Sequence, residues 1–185
     1  MERVIDMSYA VLMSPVSALR SVANEEPVGP GLGILFLVSL TGATATNVAI
    51  PGVPMQMGFG AGVLTRGIGT FILALLIIGA IHLVSTMFGG AGSFMSLLSS
   101  ICFAQFPGLL NGPATLLRAI PPLAPVATVL SLGIGIWTLV LTILAVRESR
   151  GISTGHSILT GVFAVVGISI FAGILAAFAI LSAAF

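Results

Sequence analysis

Charge-free apolar stretches in this chain run far longer than any element of a water-soluble core needs. Residues 27–65, 67–117, 119–146 and 151–185 contain no Asp, Glu, Lys or Arg. An ionised side chain at mid-bilayer costs at least about 2.5–3.5 kcal/mol, so such gaps mark membrane spans. One helical span takes about 20 apolar residues. That ruler predicts five helices, at about 31–50, 67–87, 93–110, 123–146 and 156–185. The first ends at Pro51-Gly52-Val53-Pro54, because two close prolines break a helix. The gap 67–117 is too long for one span and fits two. They are joined by Phe88-Gly89-Gly90-Ala91-Gly92-Ser93, whose three glycines supply positive φ for a reversal and whose serine caps the next helix. The second and third helices then form an antiparallel hairpin. Pro107 kinks or ends the third helix, and Pro121-Pro122 precedes the fourth.

The segment before the first span is different. Glu2, Arg3, Asp6, Arg20, Glu25 and Glu26 all lie there. Ser14 reads as an N-cap with Pro15 as the first helical residue. Val16, Leu19 and Ala23 then share one face, with Arg20 and Asn24 beside it, as in a short helix lying at the membrane interface. The alternative is an unstructured tail, since so short a helix is marginal alone. The division is thus a cytoplasmic segment, 1–29, and a transmembrane domain, 30–185. The acidic start lacks the basic opening of a cleavable leader, so the first span is expected to remain as an anchor. Counting arginines, Arg3, Arg20, Arg147 and Arg150 fall on one side and Arg66 and Arg118 on the other. That favours N-terminus in and C-terminus out.

Composition agrees with a lipid solvent. Only 6% of residues are charged and 57% are hydrophobic, against about 25% charged in soluble domains. The expected class is an all-α polytopic transmembrane helix bundle in the cytoplasmic membrane. There is no lysine and the net charge is +1, which excludes a polybasic patch and hence nucleic-acid binding. Cys102 is the single cysteine, so neither an intrachain disulfide nor a thiolate metal cluster can form.

Several local patterns resemble the Yip family, the polytopic membrane proteins named for binding Ypt/Rab GTPases. Pro15 and Arg20 followed by Glu25-Glu26-Pro27 look like the family's entry segment. The run from His82 through Gly89-Gly90 to Phe94 looks like its histidine-to-double-glycine turn, the most specific of the matches. Cys102-Phe103-Ala104-Gln105-Phe106-Pro107 stands where the family has a Gly-Tyr pair four residues ahead of a proline. Trp137, Arg147-Glu148 and Gly151-Ile152-Ser153 resemble the stretch joining spans four and five. The resemblance implies five spans with the N-terminus inside. Two departures limit what carries over. Phe103 removes the tyrosine hydroxyl, and the long N-terminal region of the eukaryotic members, with its Asp-Leu-Tyr-Gly-Pro motif, is missing. The chain looks like a prokaryotic-type member, and GTPase binding is not carried over.

His82, Gly89, Gly90, Phe103, Gln105 and Pro107 are the candidate functional residues. A histidine in a span can relay a proton, bind a metal or sense pH. With no acid or second histidine in that span, a neutral ring hydrogen-bonded to a neighbouring helix is the preferred reading. A His82–His156 metal pair would be a poor site, lacking carboxylate or thiolate. Ser93, Ser96, Ser100 and Ala104, with Gln105, form a small-residue stripe. It reads first as a packing face and second as a polar lining, and Ser39, Thr41, Thr44, Thr46 and Asn47 add a polar seam in the first span. Ala172/Ala176 and Gly173/Ala177 permit close helix approach within the chain or between copies. Arg147, Glu148 and Arg150 read as anchors at a span end. No nucleophile, metal or phosphate motif is visible and no cofactor is implied. The expected function is a non-enzymatic membrane-organising or partner-recruiting protein whose partners are the lipid bilayer, possible further copies of itself and an unidentified protein. The alternatives are a small channel or transporter subunit and, more remotely, a lipid-modifying enzyme with His82 as base.

Overall fold

The computed structural model describes residues 2–48, 59–118 and 120–183. Those residues form helices throughout: α1 (Glu2–Met13), α2 (Pro15–Glu25), α3 (Val28–Val48), α4 (Phe59–Met87), α5 (Phe94–Ala104), α6 (Asn111–Arg118), α7 (Ala124–Arg150) and α8 (Thr154–Ala183). Short 3-10 turns, Phe106–Leu110 and Pro121–Leu123, precede α6 and α7. Among the described residues, four stretches are long and apolar enough to cross a bilayer: Gly60–Met87, Phe94–Arg118, Pro121–Arg150 and Thr154–Ile174. Val28–Thr44 of α3 is a shorter apolar helix. The chain is therefore an all-α membrane bundle. The expected break at Pro51–Pro54 lies outside the described residues.

The elements differ from the expected spans where polar residues had been used as boundaries. α4 starts at Phe59, so Arg66 lies inside the helix and is exposed. At 1.5 Å per residue its 29 residues run ~44 Å, longer than the hydrocarbon layer, and a long arginine side chain can reach the headgroups from its flank. α7 likewise continues to Arg150 instead of stopping near 146. The third span does not end at Pro107. It breaks there, makes a 3-10 turn and resumes as α6 up to Arg118. The N-terminal segment holds two helices, α1 in addition to the α2 that Ser14 and Pro15 predict.

α5 stands at the centre. Every residue from Ser96 to Ala104 is buried, enclosed by α3, α7 and the α2 cap. α4 packs mainly on α3 and α8, and α8 closes the ring against α7. The expected α4–α5 hairpin is thus a reversal of direction with only a short contact. Its turn also works differently. Of its three glycines only Gly89 has positive φ, at 81°. Gly92 is required for space, because a Cβ there would lie 1.7 Å from the Ser149 carbonyl oxygen. Ser93 caps α5 as expected, its Oγ accepting from the Ser96 N–H at 2.9 Å.

α2 turns Ala18, Leu19, Val22 and Ala23 into the protein against α5 and α7. Ser14 occupies the N-cap position, but its hydroxyl donates back to the Ala10 carbonyl at 3.3 Å and caps nothing. Two polar contacts hold α2 and its C-cap to the bundle. Arg20 meets Glu148 at 2.8 Å, and the Ser93 hydroxyl donates to the Glu26 carboxylate.

Candidate functional site

The centre of the third span breaks for a local reason. Pro107 has no N–H, and its ring would clash with the carbonyl four residues back, that of Phe103, so α5 cannot continue through it. The Gln105 N–H is shared between the carbonyls of Ile101 and Cys102, at 3.1 and 3.3 Å, and the Gly108 N–H then bonds to the Gln105 carbonyl at 2.8 Å. This tighter turn carries the chain to Asn111, where the α-helix resumes. Irregular backbone at membrane depth is tolerated only where protein surrounds it or a cavity borders it, and both hold here. Pro107 and Gly108 are buried, and a half-open cavity of about 350 Å³ lies beside the break.

The cavity is enclosed by α3, α4, the break itself and α7. Its walls are mostly aliphatic: Leu35 and Val38, Ile77, Ile78 and Ile81, and Ile101. Five polar side chains interrupt them: Ser39, Thr70, Gln105, Asn111 and Thr142. The three hydroxyls donate to carbonyls of their own helices: Ser39 to Leu35 at 2.9 Å, Thr70 to Arg66 at 2.9 Å, Thr142 to Thr138 at 2.8 Å. One N–H of the Gln105 amide donates to Thr142 Oγ1 at 3.3 Å. The Gln105 amide oxygen and the whole Asn111 amide have no partner among the described residues. Among the described residues, no Asp, Glu, Lys, Arg or His borders the cavity.

A second polar cluster sits where the α4–α5 turn meets the end of α7. Arg150 is only 2% exposed. Its Nε donates to Ser85 Oγ at 2.8 Å, one terminal nitrogen to the Gly90 carbonyl at 2.7 Å and the other to the Gly92 carbonyl. The Ala91 N–H returns a bond to the Arg150 carbonyl at 3.1 Å. No carboxylate pairs with this guanidinium among the described residues. It lies instead in the last turn of α7, at the negative end of that helix, and reaches the last turns of α4 only through the Ser85 hydroxyl. Glu148, two residues earlier, pairs with Arg147 at 2.6 Å as well as with Arg20.

The six expected residues divide between these places. Gln105 lines the cavity, while Phe103, fully buried, and Pro107 build the break beside it. Gly89 and Gly90 form the turn that Arg150 holds. The His82 ring meets Phe94 of α5 edge-on, with centroids 5.3 Å apart. Its contact with a neighbouring helix is therefore aromatic, and Nδ1 has no hydrogen-bond partner among the described residues. His156 stacks on Phe88 at 5.2 Å, so each histidine has its own aromatic neighbour. In the small-residue stripe, Ser96, Ser100 and Ala104 are packed inside protein and only Gln105 reaches the cavity. In the polar seam, Ser39 alone among the described side chains does so. Thr41 and Thr44 bond to their own helix, and the side chains of Thr46 and Asn47 lie outside the described residues. The sequence analysis does not single out Asn111 or Thr142, and Arg150, expected as an anchor at a span end, is instead buried. A carboxamide four residues after a proline, inside an apolar run, was the available signal for Asn111.

Residues 9–184 match the family model of the Yip1 domain. The match covers nearly the whole chain, and the chain belongs to that family. No curated protein and no solved structure matches it.

Proposed function

We propose that this Yip1-family protein is non-enzymatic and organises the membrane, or recruits a partner to it, through its N-terminal helix pair. The observation that supports this most is an outward stripe on α1. Ile5, Tyr9 and Met13, four residues apart and so on one face, are 63%, 60% and 66% exposed. The opposite face, with Val4, Met7 and Val11, packs on the core. A helix apolar on both sides and fastened to a rigid bundle presents its free side to headgroups or to another protein. The arginine count supports placing this end on the cytoplasmic side of the cell membrane. Once the buried Arg150 is set aside, Arg3, Arg20 and Arg147 still outnumber Arg66 and Arg118.

A second reading, a small channel or transporter subunit, is favoured by the discontinuous third span and its cavity. Ion and proton flux in liposomes separates the two. The first reading expects no flux above empty liposomes from inserted, folded protein. It also expects an indole at position 9 (Tyr9→Trp with Trp137→Phe) to be quenched by headgroup-level brominated lipid, or protected by a bound partner. Flux that appears with the protein and disappears in Gly42→Leu, which narrows the cavity, would replace the first reading with the second.

A further inference from the structure

We propose that the cavity beside the broken third span holds one uncharged amphiphile drawn from the bilayer, its chain against Ile77, Ile78 and Ile81 and its hydroxyl or carbonyl group at the amides of Gln105 and Asn111. Three observations narrow the occupant. The volume, about 350 Å³, has room for about a dozen water-sized groups, the size of a single medium-length chain. The walls are predominantly aliphatic, and such walls hold an apolar body better than a water cluster. Among the described residues none that lines the cavity is charged, so a carboxylate, phosphate or ammonium would enter without a counter-charge at a depth where that is unfavourable.

The amides supply the remaining specificity. Among the described residues, Gln105 keeps an acceptor and one N–H without a partner after its bond to Thr142, and Asn111 keeps both amide ends so. A pure hydrocarbon would cover these groups without bonding them, which is the costly arrangement for buried polar atoms. A hydroxyl or carbonyl satisfies them, because a carboxamide both donates and accepts. The break is what brings the two amides to one wall: Gln105 caps α5 and Asn111 opens the resumed helix, on either side of the 3-10 turn.

The test uses purified full-length protein in lipid nanodiscs with three photoactivatable diazirine probes of known structure: dodecanol, dodecanoate at pH 8 and butanol. Labelled peptides are mapped by mass spectrometry. The expected result is dodecanol attached to α3, α4 and the α5–α6 segment, at least tenfold above dodecanoate at those positions. Gly42 borders the cavity and a Cβ there meets open space, so Gly42→Leu should fold normally and reduce this labelling at least tenfold. Gly133→Leu, equally unobstructed on α7 outside the cavity, should leave it unchanged. Gln105→Leu with Asn111→Leu should bring dodecanol to within about twofold of dodecanoate. Equal labelling by alcohol and acid in the native protein would overturn the proposal, as would labelling that Gly42→Leu does not alter. Butanol labelling as strong as dodecanol would overturn the bilayer as the source.

Discussion

α5 and α8 are both apolar helices of one bundle, yet they are built on opposite rules. α5 and its continuation are 61% buried over their most apolar stretch, α8 only 17%. The more enclosed of the two carries Ser96, Ser99, Ser100, Cys102 and a carboxamide. The more exposed carries Val162, Phe163, Ile170 and Phe171 on its outer surface. In water that order would be inverted. Here lipid solvates a leucine as well as a protein interior does, so burial is driven by close packing, which favours small side chains, and by polar groups that need a partner. Apolar content identifies which helices enter the membrane and is silent about which of them lies in the middle.

The sharpest way to break this contrast is at the turn that seats α5. Gly92→Ala places a methyl 1.7 Å from the Ser149 carbonyl oxygen. It should cost more than about 4 kcal/mol, in the exceptional range for one substitution, or prevent folding. Gly167→Ala on α8, where nothing lies within 4 Å, should be neutral or stabilising by up to about 1 kcal/mol. Unfolding in mixed detergent micelles measures both, and equal curves would mean the turn is not seated on α7.

The next comparison is of identical truncations. Phe103→Ala removes a fully buried ring and should cost about 3–5 kcal/mol, whereas Phe171→Ala, at a site 63% exposed, should cost under about 1 kcal/mol. Similar losses in the same assay would show that α8 is covered by something, a second copy included. Arg150→Met keeps volume but leaves Ser85 Oγ and the Gly90 and Gly92 carbonyls without their donor. The expected loss is about 2–4 kcal/mol, and no loss would remove the guanidinium from the account of the turn. The smallest effect belongs to Glu148→Gln. It weakens the pairings of a largely buried carboxylate with Arg20 and Arg147, whose side chains are 65% and 30% exposed, for about 1–2 kcal/mol. Faster protease cleavage within residues 2–25, with the bundle melting unchanged, is the expected signature.

What the sequence makes legible follows from the same contrast. The apolar runs locate the spans because charge is excluded from lipid. Ser93 and Pro15 locate helix starts because their effects are local. Leu19 and Ala23 mark the inward face of α2 because that helix alternates polar and apolar residues as a soluble one does. The cavity was only half visible. Gln105 and Ser39 were singled out, but Asn111 and Thr142 join them through the break, and a proline at 107 does not say whether a helix bends, ends or resumes. Arg150 was read as an interface anchor because it stands at a span end like Arg147. Only the packing of residues 85–92 against it distinguishes the two. α1 escaped notice because Glu2, Arg3 and Asp6 give its start the look of a solvated tail.

The cage around Arg150 has a consequence for the order of assembly. The carbonyls of Gly90 and Gly92 take their bonds from a side chain 60 and 58 residues further along the chain. During synthesis the first half of the bundle must therefore wait, its turn incomplete, until α7 has been made and has entered the membrane. A chain that stops before Arg150 should stay open at residues 88–93 and be cut there by added protease, while one that runs a few residues past it should be resistant. Closure of this protein is thus timed by the third of its four long apolar stretches, Pro121–Arg150, and a single arginine acts as the latch.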